Sequence, residues 1–418
     1  MKPTGIAVIG AGNRGREAYG EYVLQNPHEC TVVAVAETDD ERRRLFSAEH
    51  QIPGHRQFES WQELLEEPRM CDAVLICIGD RDHYDVTMKC IERGYHVLLE
   101  KPMAVDPGQC LEIPAAADEA GITLVIAHVL RYTPLFYTIR ELLDRDAIGR
   151  VVTIQHNENV GHQHFAHSYV RGNWRRAETS SPIILAKSCH DMDLIFWFAG
   201  ARCQSVSSFG RLIHFREENA PPGSTEYCLD GCSVFHTCPF SVAAVYLSSP
   251  YRWPTTVVTP DSSLDARIEA LRRGPYGRCV YRCDNDVVDN QVVAMSFENG
   301  VTASFTLSGF THEISRTIKL MGTRGEIRAH LEKNEIELHS FSTKSVTTIR
   351  PHAGTGKHGG GDHGLMRSFL RSLRTGNHDY IVNARESAEG HLIAFAAEEA
   401  RKNGNVVQMD AFVEAAKT

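Results

Sequence analysis

The order of apolar and polar positions divides the chain near residue 127. Before it, short apolar runs at 6–9, 31–36, 73–78, 96–99 and 123–127 alternate with helix-length segments at 14–25, 40–50, 60–66, 83–93 and 107–120. Runs this short and this apolar suit strands covered on both faces, and their strict alternation with helices predicts a parallel, doubly wound sheet. After it, a helix at 135–144 leads into longer strand-like stretches at 151–155, 291–298, 302–308 and 316–321, then helices at 365–375 and 384–402. The expected fold is α/β: a dinucleotide-binding domain over 1–127, and an α/β domain over 128–418 with a large open mixed or antiparallel sheet. A glycine-rich stretch at 353–361 is the loosest segment.

The first strand runs into Gly10-Ala11-Gly12-Asn13-Arg14-Gly15, and a helix follows. Glycines at these positions let the backbone turn tightly and approach a pyrophosphate, whose charge sits on the helix N-terminus. Gly10, Gly12, Asn13, Arg14 and Gly15 are therefore candidate cofactor contacts. Glu37 lies at the end of the second strand, where a carboxylate accepts the ribose hydroxyls and repels a 2′-phosphate, which favours NAD over NADP. Arg42, Arg43 and Arg44 are read as a solvated helix face. A further motif, Glu100-Lys101-Pro102, follows the strand at 96–99, at the carboxyl edge where ligands of such sheets bind.

Composition removes other classes. The 418 residues carry 44 Lys+Arg against 53 Asp+Glu, a net charge of −9, which argues against a nucleic-acid surface. Apolar residues make up 42%, too many for a disordered chain, and no run approaches the ~18 that a membrane span requires. The sequence enters its first strand without an export leader, so a cytoplasmic location is expected, with the 12 Cys as free thiols or metal ligands.

Taken together, Gly10 to Gly15, Glu37, Asp80 with His83, Glu100-Lys101-Pro102, Arg131-Tyr132-Thr133-Pro134 and Cys189-His190-Asp191-Met192-Asp193 resemble the Gfo/Idh/MocA oxidoreductases, the family of glucose-fructose oxidoreductase and inositol dehydrogenase. The resemblance implies a Rossmann domain, a C-terminal domain with an open sheet, and hydride transfer between NAD(P) and a carbohydrate hydroxyl. It implies Asp80, His83, Glu100, Lys101 and Pro102 at the cofactor, and Lys101 and His190 as catalytic residues, His190 taking the hydroxyl proton. It also implies a dimer or tetramer. Asp193 is expected either to orient His190 or to cap its helix. One departure stands out: inositol dehydrogenase-like members carry Asp four residues before the His, whereas this chain has Ala186 there, beside Lys187. A second lysine in the site is expected either to suit an anionic substrate or to act on Lys101 by like-charge repulsion.

Residues 156–176 gather His, Tyr, Trp and Arg with little apolar periodicity, as a carbohydrate pocket requires. Arg131, His164, Trp174, Arg175, Lys187 and His190 are the expected substrate contacts. With Lys101, Lys187, Arg171, Arg175 and Arg176 are expected to concentrate positive charge around one cleft. Cys228, Cys232, Cys238, Cys279 and Cys283 form a separate group from which four thiolates of a structural zinc site could be drawn. The reading is an NAD-dependent oxidoreductase of a sugar, sugar acid, cyclitol or glycoside. Two alternatives share the scaffold: redox-neutral glycoside cleavage through transient oxidation, elimination, hydration and re-reduction, and a non-catalytic dinucleotide-binding regulator.

Overall fold

A computed structural model of the chain describes residues 2–417. Its first sheet contains β1 (Thr4–Ile9), β2 (Cys30–Ala36), β3 (Gln57–Phe58), β4 (Ala73–Ile76), β5 (His96–Leu99) and β6 (Leu124–Ile126), all parallel, in the order β3-β2-β1-β4-β5-β6. The order reverses between β1 and β4, so the glycine turn after β1 opens onto the crevice where such sheets take ligands. Ile6, Ala7, Val8 and Ile9 are all buried because helices cover both faces, as the run of apolar residues without alternation predicts.

The second sheet has nine strands. These are β7 (Val151–Asn159), β8 (Cys203–Arg211), β9 (Asn290–Phe297), β10 (Thr302–Ser308), β11 (Ser315–Gly322), β12 (Gly325–His330), β13 (Glu335–Ser340), β14 (Val346–Ile349) and β15 (Val407–Gln408), ordered β14-β13-β12-β11-β7-β10-β9-β8-β15. β7 and β10 are parallel and the other pairs antiparallel, so the sheet is mixed. One face carries Val293, Met295, Ala303, Phe305, Ile318 and Leu320 into the core, and helices pack on it. The alternation of buried and exposed positions along β9 and β10 is that of a sheet covered on one side.

The chain does not leave its first domain behind at residue 127. The helix Gly361–Thr375 returns and packs Leu365, Met366, Phe369 and Leu370 with Ile6, Val8 and Val125. The helix Ala384–Asn403 lies against the helix Cys189–Ala199, where a Cβ added at Gly390 would meet the Asp193 backbone at 2.9 Å. Glycine is what allows that approach. The first domain's core is thus completed by the end of the chain, which fixes the crevice between the sheets.

Candidate active site

The glycine turn is built as its sequence requires. Gly10 has φ +92°, and a Cβ there would stand 2.4 Å from the Cys77 carbonyl oxygen. At Gly15 a Cβ would stand 2.0 Å from the Gly10 carbonyl oxygen. Gly12 differs, because a Cβ there meets nothing within 4 Å: its missing side chain leaves open space in front of the turn. A dinucleotide's pyrophosphate fits that cradle. Glu37 is buried at the end of β2 and accepts the N–H of Ala11 at 2.7 Å and of Asp39 at 3.0 Å, which places its carboxylate at the edge of the turn.

The side chains of Asn13 and Arg14 point elsewhere. Asn13 donates to Glu17 at 2.6 Å, and Arg14 turns inward to Glu100 (2.6 Å), Asp362 (2.8 Å) and Tyr19 (2.8 Å). What these two residues offer a dinucleotide is therefore backbone. Burial works against ionisation of Glu100, but the charges of Arg14 and Lys101 outweigh it and hold its carboxyl below the usual range. Asp362 is likewise held down, by Arg14 and His358 against its burial.

Asp80 and His83, which the resemblance implies at the cofactor, are both engaged by protein partners. Asp80 accepts the Ser180 and Ser181 hydroxyls at 3.0 and 2.8 Å and the Trp174 ring N–H at 3.3 Å, clamping the second domain onto the first. His83 is fully buried, with Nδ1 2.6 Å from the Pro102 carbonyl and Nε2 3.2 Å from that of Ile78, so it props the Lys101–Pro102 turn, whose peptide bond is cis.

Lys101 and His190 come together at the junction. Lys101 leaves the end of β5 and donates from Nζ to the Ala186 carbonyl at 2.7 Å. Ala186, where the resemblance leads one to expect Asp, thus holds the lysine through its backbone. His190 stands in the first turn of the helix Cys189–Ala199, nearly fully buried, with no partner for Nδ1 among the described residues. Burial, then the charges of Lys101, His128, Arg316 and His358, hold its pKa well below the ordinary histidine value.

Asp193 neither orients His190 nor caps the helix. It is buried and takes both arms of Arg131 at 2.7 Å, with His128 Nδ1 at 3.0 Å. That removes Arg131 from the expected substrate contacts: its guanidinium is buried, is held also by Glu386, and lies over the Trp197 ring. Removing one partner of such a buried pair costs roughly 3–5 kcal/mol.

Lys187 and His164 share the site with His190. The Lys187 ammonium is 3.4 Å from Glu158, and burial followed by Arg316 and Lys101 lowers its pKa despite Glu158. His164 is held well below its usual value by burial and then Lys187. Trp174 stays one-third exposed next to Tyr169. The expected gathering of arginines does not occur. Arg175 pairs with Asp284 and Arg176 with Glu178, while Arg171 turns away to Phe240 and Cys228. Arg175, expected as a substrate contact, is thus held by Asp284 in a partly exposed ion pair.

Residues without an assigned role in the sequence complete the site. In β7, Ile154, His156 and Glu158 share one face; the strand continues past the apolar run, so its last inward positions are polar. Arg316 sits directly across from Glu158 in β11, 2.5 Å from that carboxylate and 2.9 Å from Asp191, which also accepts His156. Its place on the same face as Ile318 and Leu320 is a signal that period-two reading can find. His358, from the glycine-rich stretch, brings its ring to 6.4 Å from that of His190 and bonds Asp362. His128, Cys189 and His391 place ligand atoms within 4.8 Å of one another. They do not make a ready metal site, because His391 accepts the Met103 N–H at Nε2 and faces the Ser387 carbonyl at Nδ1.

Comparison with known proteins agrees with this architecture. Residues 4–128 match the oxidoreductase family model of the NAD-binding Rossmann fold, and residues 140–409 match its C-terminal alpha/beta domain. The Bacillus subtilis protein YteT, named as a candidate oxidoreductase, is 24% identical over 338 residues, 76% of each chain. The 1,5-anhydro-D-fructose reductase of Ensifer adhaerens is 31% identical over 39% of this chain and 47% of its own. Trans-1,2-dihydrobenzene-1,2-diol dehydrogenase of Xenopus laevis is 36% identical over 30% of this chain and 37% of its own. These last two alignments span less than half of either relative. An NAD-binding oxidoreductase structure from Klebsiella pneumoniae superposes with TM-score 0.72 at 18% identity, covering 98% of this chain and 99% of that one. With a Rossmann domain, a mixed nine-stranded sheet and both family models spanning most of its length, the chain belongs to the GFO/IDH/MocA oxidoreductase family.

Proposed function

We propose that this oxidoreductase moves a hydride between NAD, in preference to NADP, and a secondary hydroxyl of a sugar, sugar acid or cyclitol. The observation that carries the reading is that Lys101, at the carboxyl end of β5, reaches across to the Ala186 carbonyl and lies near enough to the buried His190, unpartnered at Nδ1, for its charge to bear on that imidazole. The open space before Gly12 and the Glu37 carboxylate at the turn's edge would hold the pyrophosphate and the adenosine ribose. Bound NAD supplies the hydride acceptor. The chain supplies the rest. His190, kept neutral by its surroundings, takes the hydroxyl proton, and the Lys101 ammonium stabilises the negative charge growing on that oxygen. Lys187 and His164, whose charges bear on each other, and Trp174, which meets the Tyr169 ring as His164 does, would contact the substrate, and Lys187 would favour one bearing an anionic group. We also propose pairing of two chains through the open sheet face, where exposed Phe209 and Val292 lie opposite each other in neighbouring strands.

The test is NADH formation from a panel of polyols and sugar acids, with NAD and NADP compared. The wild type is expected to turn over with NAD. Lys101→Met and His190→Asn are expected to lose about 10²–10⁴-fold in kcat while still binding NADH. Variants that keep wild-type turnover sink the assignment. Aglycone release from aryl glycosides with catalytic NAD and no net NADH would place the chemistry in redox-neutral cleavage instead.

A further inference from the structure

The segment between β8 and β9, residues 212–289, contains one ten-residue helix (Leu264–Arg273), shorter helical pieces and an isolated bridge, Tyr227 with Arg278. That bridge sets Cys228 beside Cys279: Cys228 N–H donates to the Gly277 carbonyl at 3.0 Å, and Cys279 N–H to that of Glu226 at 2.8 Å. Cys232 and Cys238 come from the following turns, and all four line one small cavity of about 10 Å³. That is room for roughly one water or one ion. Both ends of the segment reach the main core, through Phe215, Phe240, Val280, Tyr281, Val287 and Val288, while its middle has only the small separate cluster of Cys228, Val242, Val245, Tyr246 and Leu271.

Arg171 points into this cavity. It is 1% exposed and donates to the carbonyls of Arg278 (2.7 Å) and Phe240 (2.8 Å) and to the Cys228 sulfur (3.8 Å), while Nη1 has no partner. None of these described partners is a carboxylate. A buried guanidinium without an anion is costly, and the groups around it that can carry negative charge are Tyr246 and the cysteines.

We propose that Cys228, Cys232, Cys238 and Cys279 bind one structural Zn²⁺ as a tetrathiolate, with Arg171 as its buried counter-cation. Four thiols release four protons as the ion enters, leaving a site of charge −2 beside the guanidinium, whose N–H groups then donate to the sulfurs. Cys283 stands outside the set, its Sγ turned to the Cys279 carbonyl at 3.3 Å. Among the described residues no three of these sulfurs lie within 4.8 Å of one another, so cysteine side chains rotate inward to reach Zn–S distances of about 2.3 Å. With four protein ligands the site is closed and ties the irregular segment together.

The experiment is metal analysis and Co²⁺ titration of the full chain purified under reducing conditions without a metal-affinity step. About one equivalent of zinc per chain is expected, and Co²⁺ uptake should give the visible and near-ultraviolet bands of a tetrahedral thiolate site. Cys283→Ser is expected to keep its zinc, and Cys232→Ser to lose at least about tenfold in occupancy after chelator treatment. Less than about a tenth of an equivalent of zinc, with no thiolate–cobalt bands from the reduced wild type, overturns the proposal. So do disulfides among the four cysteines with no cobalt uptake after their reduction. The wild-type titration decides even if a variant fails to fold.

Discussion

His190 owes its behaviour to what its neighbours are already doing. Asp191 and Asp193 flank it, but Asp191 is taken by His156 and Arg316, and Asp193 by Arg131 and His128. The imidazole is buried and left among positive groups, and its proton affinity falls, first by burial and then by the charges of Lys101, His128, Arg316 and His358. A general base works only while neutral, so the depressed pKa extends activity toward acid. In the oxidation direction the acid limb of kcat/KM is expected below pH about 6.5, the ordinary histidine value. Rates measured from pH 5 to 9 check this, and an acid limb at or above that value would show that His190 is not the base or is paired during turnover.

At the level of elements, the glycine turn separates folding from binding. Gly15→Ala puts a methyl group 2.0 Å from the Gly10 carbonyl, so the turn must open and the protein should lose stability. Gly12→Ala meets no protein atom within 4 Å, so thermal stability should stay within about 0.5 kcal/mol of wild type. NAD binding should nonetheless weaken at least about tenfold, because the methyl group occupies the space meant for pyrophosphate. Calorimetry of both variants with and without NAD tests the pair, and unchanged affinity in Gly12→Ala would move the pyrophosphate away from this turn.

How legible each element was follows from its burial. β1, β2 and β4 to β6 announce themselves as apolar runs because both faces are covered, whereas β3 is two half-buried residues long and carries no such signal. β8 and β12 to β14 face solvent on one side and carry Ser, Glu, Arg and Thr there, which hides them as loops. In the site, motif order pointed to Lys101 and His190. Arg131, Arg175, Asp80 and His83 have protein partners that the motifs do not reveal, because a polar side chain near a motif is as easily engaged internally as offered to a ligand. Only the fold shows which.

The whole molecule is closed by polar links across the crevice: Arg14 to Asp362, Asp80 to Trp174 and two serines, Lys101 to Ala186, and the Met103 N–H to His391. Sealing that junction buries histidines. His164 and His190 are pushed well below their usual pKa by burial first, His167 and His391 down to about 3, and His358 in the same direction. The unfolded chain therefore binds more protons than the folded one once pH falls below about 6.5. Stability from these groups is fully present above that value and is lost as pH falls toward the folded pKa values, by about 1.4 kcal/mol per histidine per pH unit. The buried carboxylates Asp191, Asp193 and Asp362, held down by Arg316, Arg131 and Arg14 against burial, add a separate loss that begins only below pH about 4. The two windows overlap only below pH about 4, so above that value the histidine contribution can be read alone. Between pH 7 and 5 the melting temperature should drop steadily, and unfolding at pH 5.5 should take up at least about three protons, measured calorimetrically in buffers of different ionisation enthalpy. A flat melting temperature over that range would mean that these histidines are hydrated or paired in solution, and the junction more open than its hydrogen bonds imply.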